Sequence, residues 1–187
     1  MNENLKIITV SGKAQHGKDT FAQALCEELT SQGNKVLITH YADLLKYICR
    51  TFFNWDGNKD EKGRQILQYV GTDVVRKERP DYWVEFILSI LELFGHNWDY
   101  VIIPDTRFPN EIEMLKTAYS NVAHIRVNRL NFENSLTEEQ RKHPSETALD
   151  NIEPDFIFDN YGTIEDLKER IKATDWRLLY DSTVCGK

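Results

Sequence analysis

The chain has 187 residues, of which 41% are hydrophobic and 28% are charged, and its formal net charge at pH 7 is −7. This size and composition predict one globular domain, residues 1–187, and the negative charge disfavours broad binding of nucleic acids or anionic membranes. Cys26, Cys49 and Cys185 form no C-x-x-C pair, so we expect no disulfide framework and a reducing, cytoplasmic environment. The longest apolar stretch, 86–94, is too short to span a membrane, and no signal peptide is expected.

Five short apolar runs are predicted to be strands of a parallel sheet. They lack polar alternation, which is typical of strands buried on both faces. Ligands of such sheets bind beyond the carboxyl ends of the strands, so the segments that follow these runs should surround one crevice. The predicted strands are Lys6–Val10, Val36–Thr39, Tyr100–Ile103, Ala123–Val127 and Phe156–Phe158.

Six segments between or after the strands are predicted to be helices. In 82–94 the apolar residues share one face, and Thr163 with Asp166 forms a capping box at the start of the last helix. The alternation of strands and helices predicts an α/β fold with helices on both faces of the sheet. The predicted helices are Asp19–Gln32, Ala42–Phe53, Glu61–Val75, Tyr82–Phe94, Asn110–Ala118 and Ile164–Lys172.

The first strand is followed directly by a glycine-bounded loop, residues 11–20, SGKAQHGKDT. The spacing G-x-x-x-x-G-K between a strand and a helix predicts a phosphate-binding loop (P-loop), in which backbone N–H groups surround an anion. The glycines permit backbone angles and close approaches that a Cβ atom would block. The residues assigned to this nucleotide phosphate site are Gly12, Lys13, Gly17, Lys18, Asp19 and Thr20.

Asp19 occupies the position after the lysine, where Ser or Thr commonly binds magnesium. The order Lys-x-Thr is similar to the adenylate-kinase-like branch of P-loop proteins. Asp19 either holds a magnesium-bound water or is a favourable carboxylate in the first turn of a helix. Both interpretations remain open.

The third predicted strand ends in Asp105, and Arg107 follows it. A carboxylate at a strand end beside a P-loop is typical of a Walker-B magnesium site. Arg107 is assigned to phosphate binding, since a guanidinium binds phosphate through two hydrogen bonds. The alternative is a salt bridge between Arg107 and Glu111. Lys18, Asp105 and Arg107 form the predicted catalytic set.

Four residues near the predicted crevice are candidates to bind an acceptor molecule together with Arg107. Asp43 and Lys46 follow the second strand, although Asp43 is also a suitable N-cap residue. Arg76 offers a guanidinium to a phosphate. Trp83 either stacks on a base or fills the core.

Residues 128–146 form a long polar segment that contains Arg129, Arg141 and Lys142. Long polar loops in compact domains are often lids, and a lid with these side chains would exclude water and neutralise phosphate charge. The alternative is a solvated charged surface. Residues 174–187 are assigned to a C-terminal tail.

These motifs resemble those of the deoxynucleoside monophosphate kinases of the phage and bacterial type, within the P-loop nucleoside-monophosphate-kinase-like superfamily. The resemblance extends in order over nearly the whole chain. Its blocks are SGKAQHGKDT, YADLLK, GTDVVR with DYWVEF, VIIPDTRFPNE, HPSETALDN and DFIFDNYGTIEDLKERI.

The resemblance implies a three-layer fold with a five-stranded parallel sheet, ATP and Mg²⁺ as donor, and a phosphorylated small molecule as acceptor. It places Asn160 and Gly162 near the adenine and Asp105 near the metal, where Asp19 would act through a water. It also implies small nucleotide partners, no stable nucleic-acid or membrane partner, and the cytoplasm of a bacterial or phage-infected cell, with a homodimer as one candidate assembly.

Two other functions remain open. Animal-type phosphomevalonate kinases look similar in several of these blocks, whereas dephospho-CoA kinases look similar mainly in the P-loop. A P-loop alone does not determine function, so a nucleotide-dependent switch is the other alternative. The absence of a guanine-reading N-K-x-D sequence disfavours a GTPase. The chain is short between Phe53 and Arg64, where larger relatives carry insertions.

Overall fold

The computed structural model describes residues 4–58 and 60–180, and in it five strands form one parallel sheet. The sheet order is β2-β3-β1-β4-β5. This confirms the predicted parallel α/β architecture. The strands are β1 Lys6–Ser11, β2 Val36–Ile38, β3 Tyr100–Ile103, β4 Val122–Arg129 and β5 Phe156–Asn160.

Eight α-helices are present in the described residues, together with one π-helix and two short 3₁₀ segments, Gly95–Asn97 and Trp176–Tyr180. The π-helix, Tyr69–Arg76, continues directly from the third α-helix. The α-helices are α1 Lys18–Ser31, α2 Ala42–Phe52, α3 Glu61–Gln68, α4 Tyr82–Phe94, α5 Pro109–Ala118, α6 Glu138–Lys142, α7 Pro144–Thr147 and α8 Ile164–Ala173.

β1 lies in the middle of the sheet. Ile8 is paired with Ile102 of β3 on one side and with Ala123 of β4 on the other. The loop that follows β1 therefore leaves the sheet at its centre, next to the ends of β3 and β4. This position brings segments from distant parts of the chain around the loop.

Each face of the sheet is covered by its own hydrophobic core. On one face α1 and α8 pack on the strands, and Phe21 lies 4.7 Å from Phe158 between ring centroids. Trp176, which is 3% exposed, joins this core. On the other face α2, α4 and α5 cover the strands with Ile87 and Leu91 among the buried residues. Both faces are thus buried, as continuous apolar strands predict.

Three segments differ from the sequence prediction. The helix predicted over 61–75 changes at residue 69 into the π-helix, and Gly71 within it lies so close to Leu45 that an added Cβ atom would be 2.6 Å from Cδ2. The polar segment contains two short helices, α6 and α7. Part of the predicted tail, 176–180, packs on the core, whereas Cys185 lies outside the described residues.

The predicted capping box of α8 is confirmed, because Thr163 accepts a hydrogen bond from the Asp166 N–H group and Asp166 accepts one from the Thr163 N–H group. Cys26 and Cys49 form no disulfide in the described part of the chain. None of the described helices has the length and apolar character that crossing a membrane requires.

Candidate active site

The P-loop has the backbone geometry that its glycines predict. Gly12 has φ 143°, and a Cβ atom there would lie 2.3 Å from the carbonyl oxygen of Val127. Gly17 has φ 88° at the N-cap of α1, and a Cβ atom there would lie 2.6 Å from Nδ2 of Asn160. Both positions favour glycine, because φ is positive at each and because residues at the ends of β4 and β5 lie close against the loop.

Lys18 is the first residue of α1, and it is 7% exposed because its side chain lies against the loop. Its Nζ atom donates hydrogen bonds to the carbonyl oxygens of Gly12, at 2.8 Å, and Lys13, at 2.9 Å. Burial, followed by the positive charge of Arg107, lowers the pKa of Lys18 to about 7. An anion placed beside Nζ would favour its charged form.

Asn160, at the end of β5, supports the loop from one side. Its Nδ2 atom donates to the carbonyl oxygen of His16 at 3.0 Å. Gly162 has φ 81° in the turn that leads into α8. Both residues lie where the chain leaves β5, and their predicted proximity to an adenine stays a prediction.

Asp105 follows β3, and its side chain binds the backbone at the beginning of α2. Its two carboxylate oxygens accept hydrogen bonds from the N–H groups of Tyr41, at 3.0 Å, and Ala42, at 2.9 Å. Burial raises the pKa of Asp105, although the two hydrogen bonds act to lower it. Each oxygen retains a second lone pair, so a further ligand can bind there.

His40 connects two predicted site residues. Its Nε2 atom lies 3.2 Å from Oδ1 of Asp19, and its Nδ1 atom lies 3.3 Å from Oδ2 of Asp43. The hydrogen bond to Asp19 is the main cause that raises the pKa of His40. Asp43 also pairs with Lys46 at 2.9 Å. The N-cap interpretation of Asp43 is wrong, since Tyr41 holds that position and Asp43 lies in the first turn.

Arg76 forms a buried ion pair with Glu111. Its Nη2 atom lies 2.5 Å from Oε1 of Glu111, whose side chain is 2% exposed, and its guanidinium stacks on Phe108 at 3.8 Å from the ring centroid. Burial raises the pKa of Glu111 to about 7 although Arg76 acts in the opposite direction. This pair links the π-helix to α5, and the predicted role of Arg76 in acceptor binding stays a prediction.

The guanidinium of Arg107 pairs with Glu146. Nη1 lies 2.6 Å from Oε1 of Glu146 and donates to the carbonyl oxygen of Ser145 at 3.2 Å. The alternative salt bridge with Glu111 is wrong, because Glu111 accepts from the backbone N–H group of Arg107 and takes the guanidinium of Arg76 instead.

The three predicted lid cations differ in their contacts. Arg129 faces the P-loop: its N–H group donates to Nδ1 of His16, and Nη1 donates to the carbonyl oxygen of Gln15 at 3.4 Å. Arg141 instead binds Asn134 within the polar segment, and Lys142 pairs with Glu138 on an exposed surface. Only Arg129 of these three is placed against the loop.

A cleft of about 480 Å³ opens beside the loop and brings seven of the predicted site residues together. Trp83 forms part of its wall but is 4% exposed, and its Nε1 atom donates to the carbonyl oxygen of Gly71 at 3.1 Å. Such burial is typical of a core side chain. The predicted site residues along the cleft are Lys18, Asp19, Lys46, Arg76, Trp83, Asp105 and Arg107.

Two important residues of this region were missed by sequence reasoning. Glu146 lies in a matching block but had no assigned role, and His40 had none either. The partners of Glu146 and the partner Asp19 of His40 are distant in the chain, so no local pattern reveals these contacts. Among the described residues no group of three or more His, Cys, Asp or Glu side chains could hold a metal by itself.

A model of the deoxynucleotide monophosphate kinase family matches residues 43–171. The chain belongs to this family. The match includes the cleft wall, Asp105, Arg107 and Glu146, and it begins after the P-loop. The helices α2 and α3 and the π-helix form a helical wall of the cleft, and the family match supports this wall. The P-loop is supported independently by its geometry.

Two curated relatives are also similar in sequence. The deoxynucleotide monophosphate kinase of Escherichia phage RB69 is 33% identical over 112 residues, which cover 58% of this chain and 43% of that enzyme. The enzyme of the same name from Enterobacteria phage T4 is 33% identical over 113 residues, which cover 59% of this chain and 44% of that enzyme. The matched segments thus span less than half the length of these relatives.

Two solved structures show the same fold. A sugar kinase from Janibacter sp. HTCC2649 superposes with a TM-score of 0.54, covering 98% of this chain and 99% of that one. Shikimate kinase from Aquifex aeolicus superposes with a TM-score of 0.51, and the superposition covers 96% of this chain and 99% of that one. Each is 12% identical to this chain, so the similarity concerns the fold alone.

Proposed function

We propose that this protein transfers the γ-phosphoryl group of ATP to the phosphate of a deoxynucleoside monophosphate, giving ADP and the diphosphate. The observation that carries this proposal is the common cleft: the P-loop with Lys18 and the guanidinium of Arg107 face it from one side, and the helical wall of α2, α3 and the π-helix faces it from the other. Membership of the deoxynucleotide monophosphate kinase family supports the same reaction.

In this reaction the protein acts by positioning and by neutralising charge. The acceptor phosphate is already anionic, so no general base is required. The loop N–H groups and Lys18 bind the donor phosphates, and Arg107 stabilises the transferring group. The segment with Arg129 excludes water over the loop, and Asn160 with Gly162 borders the adenine.

Mg²⁺ fits beside Asp105 and Asp19. Both carboxylates line the cleft with Lys18, and Asp19 has a side chain that is 81% exposed. Magnesium in such sites uses one or two carboxylates together with waters and substrate phosphates, so a cage of protein ligands is not needed. When bound, the ion would neutralise charge on the donor phosphates, with Asp105 as a ligand and Asp19 acting through a water.

In this proposal the acceptor binds against the helical wall. Leu45, Leu67 and Gly71 supply apolar surface for a base, and Gln68 and Thr72 supply polar groups for its edge. Lys46 and Arg76 also line this part of the cleft, which supports their predicted roles in binding the acceptor, with Arg76 at its phosphate. The negative net charge supports small nucleotides rather than nucleic acids as partners, and the free Cys26 and Cys49 support a cytoplasmic location.

The test is ADP release from ATP and Mg²⁺ with a panel of acceptors: dGMP, dTMP, dCMP, dAMP, the ribonucleotides, phosphomevalonate and dephospho-CoA. Turnover of one or more deoxynucleotides is the expected result, and Lys18→Ala should lower it by about 100- to 1000-fold, the loss typical of one preorganised electrostatic donor. Turnover of phosphomevalonate alone would assign the protein to that reaction. ATP binding without turnover of any acceptor would support a nucleotide switch.

A further inference from the structure

The carboxylate of Glu146 lies on the P-loop and bridges two donors of the phosphate site. Its Oε2 atom accepts a hydrogen bond from the backbone N–H group of Ala14 at 3.0 Å, and its Oε1 atom accepts one from Arg107 at 2.6 Å. The side chain is only 9% exposed. A carboxylate is thus buried where the loop presents an N–H group suited to a phosphate oxygen.

Other residues of the segment around Glu146 also contact the P-loop. Lys13 donates from Nζ to the carbonyl oxygen of Glu146 at 2.5 Å and pairs with Asp150. Gln15 and Ser135 exchange two hydrogen bonds, at 2.8 and 3.0 Å. Three consecutive loop residues, 13–15, therefore each hold the segment that contains α6 and α7.

In the proposed reaction a triphosphate binds at this loop, where Glu146 already uses the Ala14 N–H group and Arg107. A carboxylate and a phosphate are both acceptor anions, and two anions within a few ångströms of each other repel. The Ala14 N–H group and the Nη1 atom of Arg107 cannot serve both at full strength. Binding of a triphosphate must therefore proceed against the contacts of Glu146.

We propose that Glu146 is a positioning residue whose carboxylate holds Arg107 and the Ala14 N–H group until the terminal phosphate of the donor nucleotide displaces it and takes over both contacts. This exchange rests on the proposed function, in that the displacing anion is a nucleoside triphosphate. It links donor binding to two events: Arg107 becomes available to the transferring phosphoryl group, and α7 loses one of its contacts with the loop.

The test compares Glu146→Gln with Glu139→Gln. Glu139 is an exposed residue of α6, so its variant has the same change in charge at a distance from the loop. Affinities for ATP, inorganic tripolyphosphate and adenosine are measured by calorimetry. Glu146→Gln should bind ATP and tripolyphosphate about tenfold more tightly, because a neutral amide competes less strongly than a carboxylate for the two donors. Adenosine affinity, and all affinities of Glu139→Gln, should stay within about twofold of the wild type.

Equal or weaker binding of ATP by a folded Glu146→Gln protein would overturn the proposal. Glu146→Asp is the second variant: it keeps the charge but is one methylene too short to reach both donors, and it should tighten ATP binding by a smaller factor. A wild-type protein that binds ATP but phosphorylates no acceptor would contradict the proposed reaction alone. If wild type and variants all fail to bind ATP, both proposals are overturned.

Discussion

Lys18 should take up a proton when ATP binds at pH 8. Its pKa is about 7 because the ammonium is buried next to Arg107, so about one tenth of the molecules carry the charge at pH 8. A triphosphate beside Nζ stabilises the charged form and raises this pKa. The charged fraction then approaches one, and the expected uptake is about 0.9 proton per bound ATP.

The measurement is calorimetry of ATP binding at pH 8 in several buffers that differ in ionisation enthalpy. The slope of the observed enthalpy against the buffer enthalpy is the number of protons exchanged. The terminal phosphate contributes little, since its last pKa is about 6 and its proton is already lost at this pH. Lys18→Arg is the matched control, because a guanidinium keeps its charge at every accessible pH.

The wild type should show a slope close to one proton, and Lys18→Arg a slope close to zero. Equal slopes near zero in the two proteins would refute the reasoning, because Lys18 would then be charged before ATP binds. Proton release by the wild type alone would refute it as well, since it requires that the pKa of a group falls when the anion arrives.

Three further predictions concern stability and the loop. Arg76→Met leaves buried Glu111 without its partner, so the folded variant should keep a proton on Glu111 at a pH where the wild type has lost it. The loss in the free energy of unfolding in urea should therefore grow by up to about 1.4 kcal/mol for each pH unit from 7 to 9, and a loss that does not change with pH would contradict this. Thr163→Ala should lower the same free energy by about 1 kcal/mol and leave ATP affinity unchanged. Gly17→Ala adds a Cβ atom 2.6 Å from Asn160 Nδ2 at φ 88° and should weaken ATP binding by about tenfold or more, whereas equal affinity would show that the loop can shift.

The parts of the site that lie in continuous sequence were predicted directly. The P-loop is specified by glycine spacing and by the strand and helix beside it, and all of these are local properties. Asp105 and Arg107 follow a buried strand in the same local way. The sequence indicated candidate residues for the cleft, but it did not indicate which side chains pair with each other.

The pairings required the folded chain. Arg107 has Glu111 four residues away, yet its guanidinium binds Glu146, and Glu111 binds Arg76. Helical spacing predicts only neighbours within one element, whereas these partners come from elements that the sheet order brings together. The sequence likewise allowed Trp83 either to stack on a base or to fill the core. Its burial and its hydrogen bond to the carbonyl oxygen of Gly71 decide for the core.

The sequence by itself determined the alternation of strands and helices, the parallel sheet and the P-loop, because hydrophobic periodicity and glycine spacing act over a few residues. Tertiary structure alone decided the sheet order that puts β1 in the centre, the π-helix at 69–76 and the position of Glu146 on Ala14, across 132 residues of chain. These depend on packing and on charge pairing between distant segments, and the burial of Lys18 that lowers its pKa arises in the same way.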